Sequence, residues 1–463
     1  MRLTRAALLV IAAVSLCGCN VSGSARAAPN TRTTGFWFWQ GSSVDPAYSG
    51  RELDVLFVQA GTIRKETRPL YVFPPGSTAK EQWTAYGTLP SKLPPAREYW
   101  LVYRYEIQGV PDLQAASKVA AEARRLQEAA RARLLNVVGL QLDVDSPTRA
   151  LTRYAAFLRE VRKGLPNGMQ FSITALLDWF RSGTAVDDVI AQVDEFVPQF
   201  YDSDELTAGR MAIAARIDAA RWGPVFNRFR KRFRIGISSF GRASMVPHEP
   251  PSPLLYRRLV FYGDIRPLDL ATNPAFRLEA SRSAADETVL TYRVIRNVEL
   301  HYDRLEAGDT VQFIVSTPDS IRAAVESARR MDGYLAGVVF FRWPSYREDW
   351  TMQPDEVLEA AGGGAAGRGK GSRVEAVAGP CAAVHCVDVY LDSAAPMAPR
   401  PIRYRIRASA PLDYFLPEKN VPVQLAGASE LEVSLPAYCS RGRLYLGRAV
   451  SLQPATFIVD EEQ

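Results

Sequence analysis

Residues 139–148 read GLQLDVDSPT, and within them Leu140, Leu142 and Val144 alternate with Gln141, Asp143 and Asp145. Alternate side chains of a strand leave opposite faces. One face is therefore aliphatic and fit to lie under helices, while the other carries an amide and two carboxylates. Helix-like runs stand on both sides: residues 112–135, rich in Ala, Leu, Arg and Glu, and TRALTRYAAFLREVRKGL after it. Ser146 is expected to cap the second helix, with Pro147 in its first position. The polar face becomes acidic towards the strand's C-terminal end, which is where chemistry sits in open α/β sheets and in (β/α)₈ barrels.

Working outward, similar apolar runs recur: GFWFWQ (35–40), LDVLFVQAGT (53–62), YWLVYRYE (99–106), MQFSITALLDW (169–179), DEFVPQFYDSD (194–204), RIGISSFG (234–241) and GVVFFRWPS (337–345). Helical segments are expected around 184–193, from Leu206 to Arg221, and over SIRAAVESARRM. Repeated βα units with short connections predict a parallel sheet, and about eight of them predict closure into a barrel. VQFIV (311–315) makes a ninth candidate. It is assigned instead to a β-rich insertion at about 265–316, with an open sheet beside a separate β domain as the alternative.

The fold expected is thus an α/β (β/α)₈ TIM-like barrel over 35–358, with that insertion before the last helix and strand. A Gly/Ala-rich linker (359–373) leads to a small all-β, sandwich-like domain over 374–463. A length of 463 residues fits more than one domain, and 47% hydrophobic with 23% charged residues fits globular structure. The net charge of +6 comes without a basic stripe interleaved with aromatics, so no nucleic-acid partner is expected.

The N-terminus reads as an export signal. A short basic start precedes AALLVIAAVSLCGC, which is too short to span a bilayer. LCGC (16–19) resembles the lipobox of bacterial lipoproteins. That resemblance implies a signal peptide over 1–19, acylation of Cys19, a flexible tether over 20–34, and an outer-membrane anchor facing the periplasm, Asn20 not being the aspartate of inner-membrane retention. An ordinary signal cut near Ala27 and Ala28 is the alternative. Of the remaining cysteines, Cys381, Cys386 and Cys439, one disulfide plus one free thiol is the simplest expectation in an oxidising compartment. CAAVHC lacks zinc spacing, none of the three histidines is placed as a barrel base, and no phosphate loop or dinucleotide fingerprint occurs. No metal or cofactor is expected.

Asp143 and Asp145 are the candidate catalytic carboxylates, with Cα atoms roughly 6.6 Å apart by two strand rises. In a dry site such neighbours raise at least one pKa, as glycoside hydrolysis requires of its acid. Arg104 and Glu106 share a face of the third strand, and Arg342 belongs to the last one. The two arginines serve either to bind substrate or to neutralise the aspartates. Gln141, Asp178, Trp179, Gln199, Tyr201, Asp202 and Trp343 complete a candidate carbohydrate-binding set, aromatic faces being suited to sugar rings.

In pattern the chain resembles the family 18 glycoside hydrolases. That resemblance implies a (β/α)₈ barrel, with Asp143 and Asp145 standing for the strand-four acidic motif. Tyr201 and Asp202 stand for the pair ending strand six, and Trp343 for the strand-eight tryptophan. Pro147 occupies the position of that family's catalytic glutamate, so another acid (Glu106, Asp178 or Asp202) would have to serve, or the barrel binds without hydrolysing. The closer resemblance, over roughly 35–350 and best in GFWFWQ, LQLDVDSPT, QFYD and GVVFFRWP, is to the bacterial domain-of-unknown-function family 3142. It implies a barrel-like exported protein and no activity. The function expected is an exported lipoprotein that hydrolyses or binds an envelope or extracellular carbohydrate. The alternative is a non-catalytic envelope binding or scaffold protein.

Overall fold

The computed structural model describes residues 32–46, 48–67, 81–107, 109–201, 217–248, 258–260, 265–283, 288–300, 303–345, 348, 351–362, 372–379, 381, 385–393, 402–436 and 442–462. The expected export segment, Asp202, Cys439 and most of the helix expected from Leu206 lie outside them.

Eight parallel strands form the barrel: β1 (Thr33–Phe38), β2 (Leu53–Thr67), β3 (Ala96–Tyr105), β4 (Val137–Val144), β5 (Gln170–Ala175), β6 (Glu195–Pro198), β7 (Arg232–Ser238) and β8 (Leu335–Phe341). Closure is explicit in the register, because Gly35 of β1 lies opposite both Val55 of β2 and Val339 of β8. The open-sheet alternative is thereby excluded. β6 ends at Pro198, which has no N–H to give, and bonding to both neighbours resumes at once with Gln199 N–H on the carbonyl of Ala175 and Phe200 N–H on that of Gly236.

The helices that accompany the barrel are α1 (Leu113–Ala132), α2 (Leu151–Gly164), α3 (Val186–Ile190), α4 (Ala219–Asn227), α5 (Pro318–Arg329) and α6 (Pro354–Ala361), and a short further helix, Pro267–Ala271, lies in the insertion. α1 starts where Asp112 accepts the N–H of Gln114 at 2.9 Å, and it buries Ala116, Val119, Ala120, Ala123, Leu126 and Ala130 at helical spacing. One expected helix start and one expected helix end need correction. α2 begins at Leu151 after a 3₁₀ turn, Thr148–Ala150, with Pro147 just outside it. Ser146 is fully buried and caps nothing. The described helix near Arg221 is α4, which runs on to Asn227 from an Asp218 cap.

The strands divide the core in two. Outward side chains such as Leu140, Leu142 and Val144 pack with Tyr154, Phe157 and Leu158 of α2 in one layer under the helices. Inward ones, including Trp37, Phe57, Trp100, Tyr201, Phe240 and Phe341, fill the barrel. Small residues permit this filling: a Cβ on Gly139 would stand 2.4 Å from the Trp100 ring. At the base, Arg234 and Glu195 are both fully buried and ion-paired at 2.8 Å.

Between β7 and α5 lies a five-stranded antiparallel sheet. It takes up VQFIV, as expected, but also recruits Arg242–Val246, upstream of the expected insertion. Beyond α6, two four-stranded sheets share one core that includes Val389, Leu391, Tyr404, Ile406, Leu431 and Leu446. IRYRIRA (402–408) alternates buried Ile402, Tyr404 and Ile406 with exposed arginines, of which Arg405 pairs with Glu430 at 2.8 Å. Cys381 and Cys386 form a disulfide.

Candidate functional site

Gly139, Gln141 and Asp143 form the inward column of β4. Gln141 is fully buried, accepting the indole N–H of Trp37 at 2.7 Å and donating to Ser172 Oγ at 3.1 Å. It belongs to the barrel's internal bonding and meets no solvent. Asp143, one pair further up, is 6% exposed. Its Oδ1 accepts Thr174 Oγ1 at 2.8 Å and Gln199 Nε2 at 3.3 Å, and its Oδ2 lies 4.0 Å from Arg104 Nη1. Gln199 Oε1 is buried and has no hydrogen-bond partner among the described residues.

Asp145 follows the end of β4 and is exposed. The expected pair of carboxylates in one dry pocket is therefore not what forms. One is buried and committed as an acceptor, while the other stands in water where high dielectric weakens their mutual repulsion. Both act on Tyr154 behind the strand. Burial, with the field of Asp143 and Asp145 added, pushes its hydroxyl well above the usual tyrosine range.

Arg104 sits where the alternation of β3 placed it, half-buried, facing Asp143 with its guanidinium 5.5 Å from the centre of the Trp39 ring. Trp39 is itself partly exposed and packs edge-on against Phe341. Tyr201 is stacked on Phe341 at 4.5 Å with its edge towards Trp37, so it forms part of the aromatic fill beneath the mouth. Glu106 is exposed, 3.4 Å from Arg64. Asp178 accepts the hydroxyl of Thr148 at 2.7 Å on the loops above β4 and β5.

Three expected site residues lie elsewhere. Trp179 is fully buried beside Tyr154 in the outer layer, its N–H spent on the carbonyl of Ser146 at 2.8 Å. Trp343 is likewise 1% exposed, packed on Phe36, Phe38 and Tyr48 with its N–H on the carbonyl of Ser43. Neither ring faces the mouth; the partly exposed Trp39 takes that place. Arg342 neutralises neither aspartate. It is gripped by Glu348 through two bonds of 2.9 and 2.8 Å, with Ser345 Oγ at 3.1 Å. Sequence reading missed Glu348, although a buried arginine demands a carboxylate and Glu348 is six residues on.

Among the described residues, no group of three or more His, Cys, Asp or Glu side chains is arranged to hold a metal ion. What the mouth offers is a fixed carboxylate acceptor, a guanidinium and a half-exposed indole.

Residues 98–252 match the model of DUF3142, a domain of unknown function. The match runs from the third to the seventh barrel strand and contains Arg104, Asp143, Thr174 and Gln199, with Trp39 outside it. A comparison with curated proteins gives no match. Among solved structures, the chain is similar to chitinase ChiA74 from Bacillus thuringiensis at 11% identity and a TM-score of 0.43, covering 92% of this chain and 100% of that one. It is also similar to the spore cortex-lytic enzyme SleL of Bacillus megaterium QM B1551 (13% identity, TM-score 0.41, covering 72% and 74%). A chitinase from Chromobacterium violaceum gives 11% identity and a TM-score of 0.41, covering 72% and 98%. At these identities no activity carries over from them.

Proposed function

We propose that this protein binds a carbohydrate at the C-terminal mouth of its barrel without hydrolysing it. The observation that carries the reading is the setting of Asp143, held by Thr174 and Gln199 and faced by Arg104 beneath the half-exposed ring of Trp39. An immobilised acceptor, a cationic donor and an aromatic face together suit a polyhydroxylated ring with apolar C–H faces.

Hydrolysis would need a carboxyl available to donate a proton to the leaving oxygen. Asp143 is occupied as an acceptor, Glu348 is held at both oxygens by Arg342, and Pro147 fills the position two residues beyond Asp145. The second reading is turnover, which the exposure of Asp145 just past the end of β4 favours.

The proposal includes the compartment: export as a lipoprotein acylated on Cys19 and held at the outer membrane, facing the periplasm. The Cys381–Cys386 disulfide supports an oxidising destination. Palmitate labelling that is lost in Cys19→Ser tests the anchor.

The test of function is a binding screen of the protein against peptidoglycan fragments and a glycan panel, with reducing-end release followed in parallel. Binding that weakens in Asp143→Asn, with no release, is expected. Release abolished by Asp145→Asn would make the protein a glycosidase, and no binding to any glycan would overturn the carbohydrate reading.

A further inference from the structure

The second barrel strand does not stop at the rim. The early part of β2 pairs with β1 and β3, while its outer part, Gly61–Thr67, pairs antiparallel with Glu81–Gly87 to make a ribbon. Where β2 passes β3 it carries one surplus residue, Ala60, so that Gln59 lies opposite Val102 and Gly61 opposite Tyr103. Gly61 is required there, because a Cβ would stand 2.4 Å from the Tyr103 ring. Ile63 and Ala85 join the outer core, and the ribbon's other face carries Thr62, Arg64, Thr84 and Tyr86.

This face is continuous with the site. In register, Tyr86 is opposite Thr62, Thr62 opposite Arg104, and Arg104 opposite Asp143. Paired residues project to the same side, so these four form one row crossing three inter-strand gaps, roughly 14 Å at about 4.8 Å each. Beside the row a groove of about 450 Å³ runs from Trp39 to Tyr86, lined also by Gln59, Thr62, Arg64 and Thr84. The volume lies within the ~300–1,000 Å³ of small-molecule sites. Tyr86 is 70% exposed, a large ring left in water at the outer end.

We infer that the groove is an outer subsite of the same site, and that the ligand is a linear polysaccharide chain rather than a single sugar. The inference rests on the carbohydrate reading above and deepens it. The occupant follows from the lining. Thr62, Thr84 and Gln59 offer neutral hydroxyl and amide groups. Arg64 is offset by Glu106 at 3.4 Å and by Glu66 in the groove, leaving no net field to draw a polyanion. Trp39 and Tyr86 supply ring faces at the two ends, as a chain of sugars lying across the strands requires.

The test compares N-acetylglucosamine oligomers of two and six units by isothermal titration on the full chain. The wild type is expected to bind the hexamer about tenfold more tightly than the dimer, a step of the size an aromatic contact supplies. In Tyr86→Ala, and in Thr84→Trp, which fills the groove, that ratio should fall to about one. Asp143→Asn should weaken both lengths alike. Equal wild-type affinity for dimer and hexamer, or a ratio untouched by both ribbon variants, overturns the outer subsite while leaving the mouth as a binding site. Failure of the wild type to bind either length, or glucose and peptidoglycan oligomers of matching lengths, overturns the carbohydrate reading and the subsite with it.

Discussion

Arg443 of the C-terminal sandwich reaches Asp45, in the loop that follows the first barrel strand, at 3.0 Å. Its guanidinium is buried, faces Glu375 at 3.3 Å and lies 4.1 Å from the centre of the Tyr390 ring. The loop it holds leads directly from Trp39, so the sandwich braces one wall of the mouth. Arg443→Ala should cost about 2 kcal/mol, less than a fully buried pair because Asp45 keeps some solvent. Arg443→Lys should recover little, since a point charge cannot face two carboxylates and a ring together. Urea unfolding of the three proteins measures this, and an Arg443→Ala loss below about 0.5 kcal/mol would show the brace to be incidental.

The buried pair at the barrel base has a different signature. Glu195→Gln leaves a guanidinium without its counter-charge in a filled interior, and a loss of about 3–5 kcal/mol is expected. Replacing both partners, Glu195→Leu with Arg234→Met, should regain most of that stability. A double variant as unstable as the single one would contradict the assignment.

Asp194 supplies a pH dependence. Burial pushes its carboxyl up, but paired bonds from Arg162 at 2.5 and 2.6 Å and the N–H of Phe171 at 2.9 Å outweigh it and hold the group below the usual aspartate range. A carboxyl lowered on folding stabilises the fold above the unfolded-state pKa, near 3.9, and the gain is lost as pH falls through the folded value. Asp194→Asn should therefore cost roughly 1 kcal/mol at pH 7, allowing for solvent screening, and progressively less below about pH 4. A penalty that stays constant between pH 7 and pH 3 would refute this.

Within the barrel, Trp37→Phe removes the only hydrogen-bond donor recorded to Gln141 Oε1 among the described residues while keeping a ring in the core. Leaving that buried oxygen unpaired should cost about 1–3 kcal/mol. Trp37→Phe with Gln141→Leu should cost less than the sum of the two single changes, which a double-mutant cycle by thermal unfolding would reveal.

What could be read in advance follows the reach of periodicity. All eight barrel strands were visible as apolar runs, several of them separated by helical segments, and the alternation of 139–144 correctly separated Leu140, Leu142 and Val144 from Gln141 and Asp143. Beyond the last paired residue of a strand, side-chain direction depends on the path of the loop, which alternation does not describe. Asp145, Trp179 and Trp343 all stand just past strand ends, and there the expected pairing or cleft lining failed. VQFIV looks the same locally whether it joins the barrel or a neighbouring sheet, so only the full count of strands assigns it. Glu348 was hidden for another reason: its partner Arg342 stands just past the end of β8 and the glutamate further along the loop, and no pattern links the two.

The surplus residue at Ala60 means that the ribbon's orientation is written in chain length rather than in side-chain chemistry. Deleting that one residue would only straighten the strand, with Gly61 still opposite Tyr103, whereas adding one beyond it would roll the hairpin half a turn, presenting Ile63 and Ala85 to the mouth and pressing Tyr86 against α1. A single codon gained there would exchange a wettable wall for an oily one at a stroke, a change that substitutions could reach only by altering several positions together.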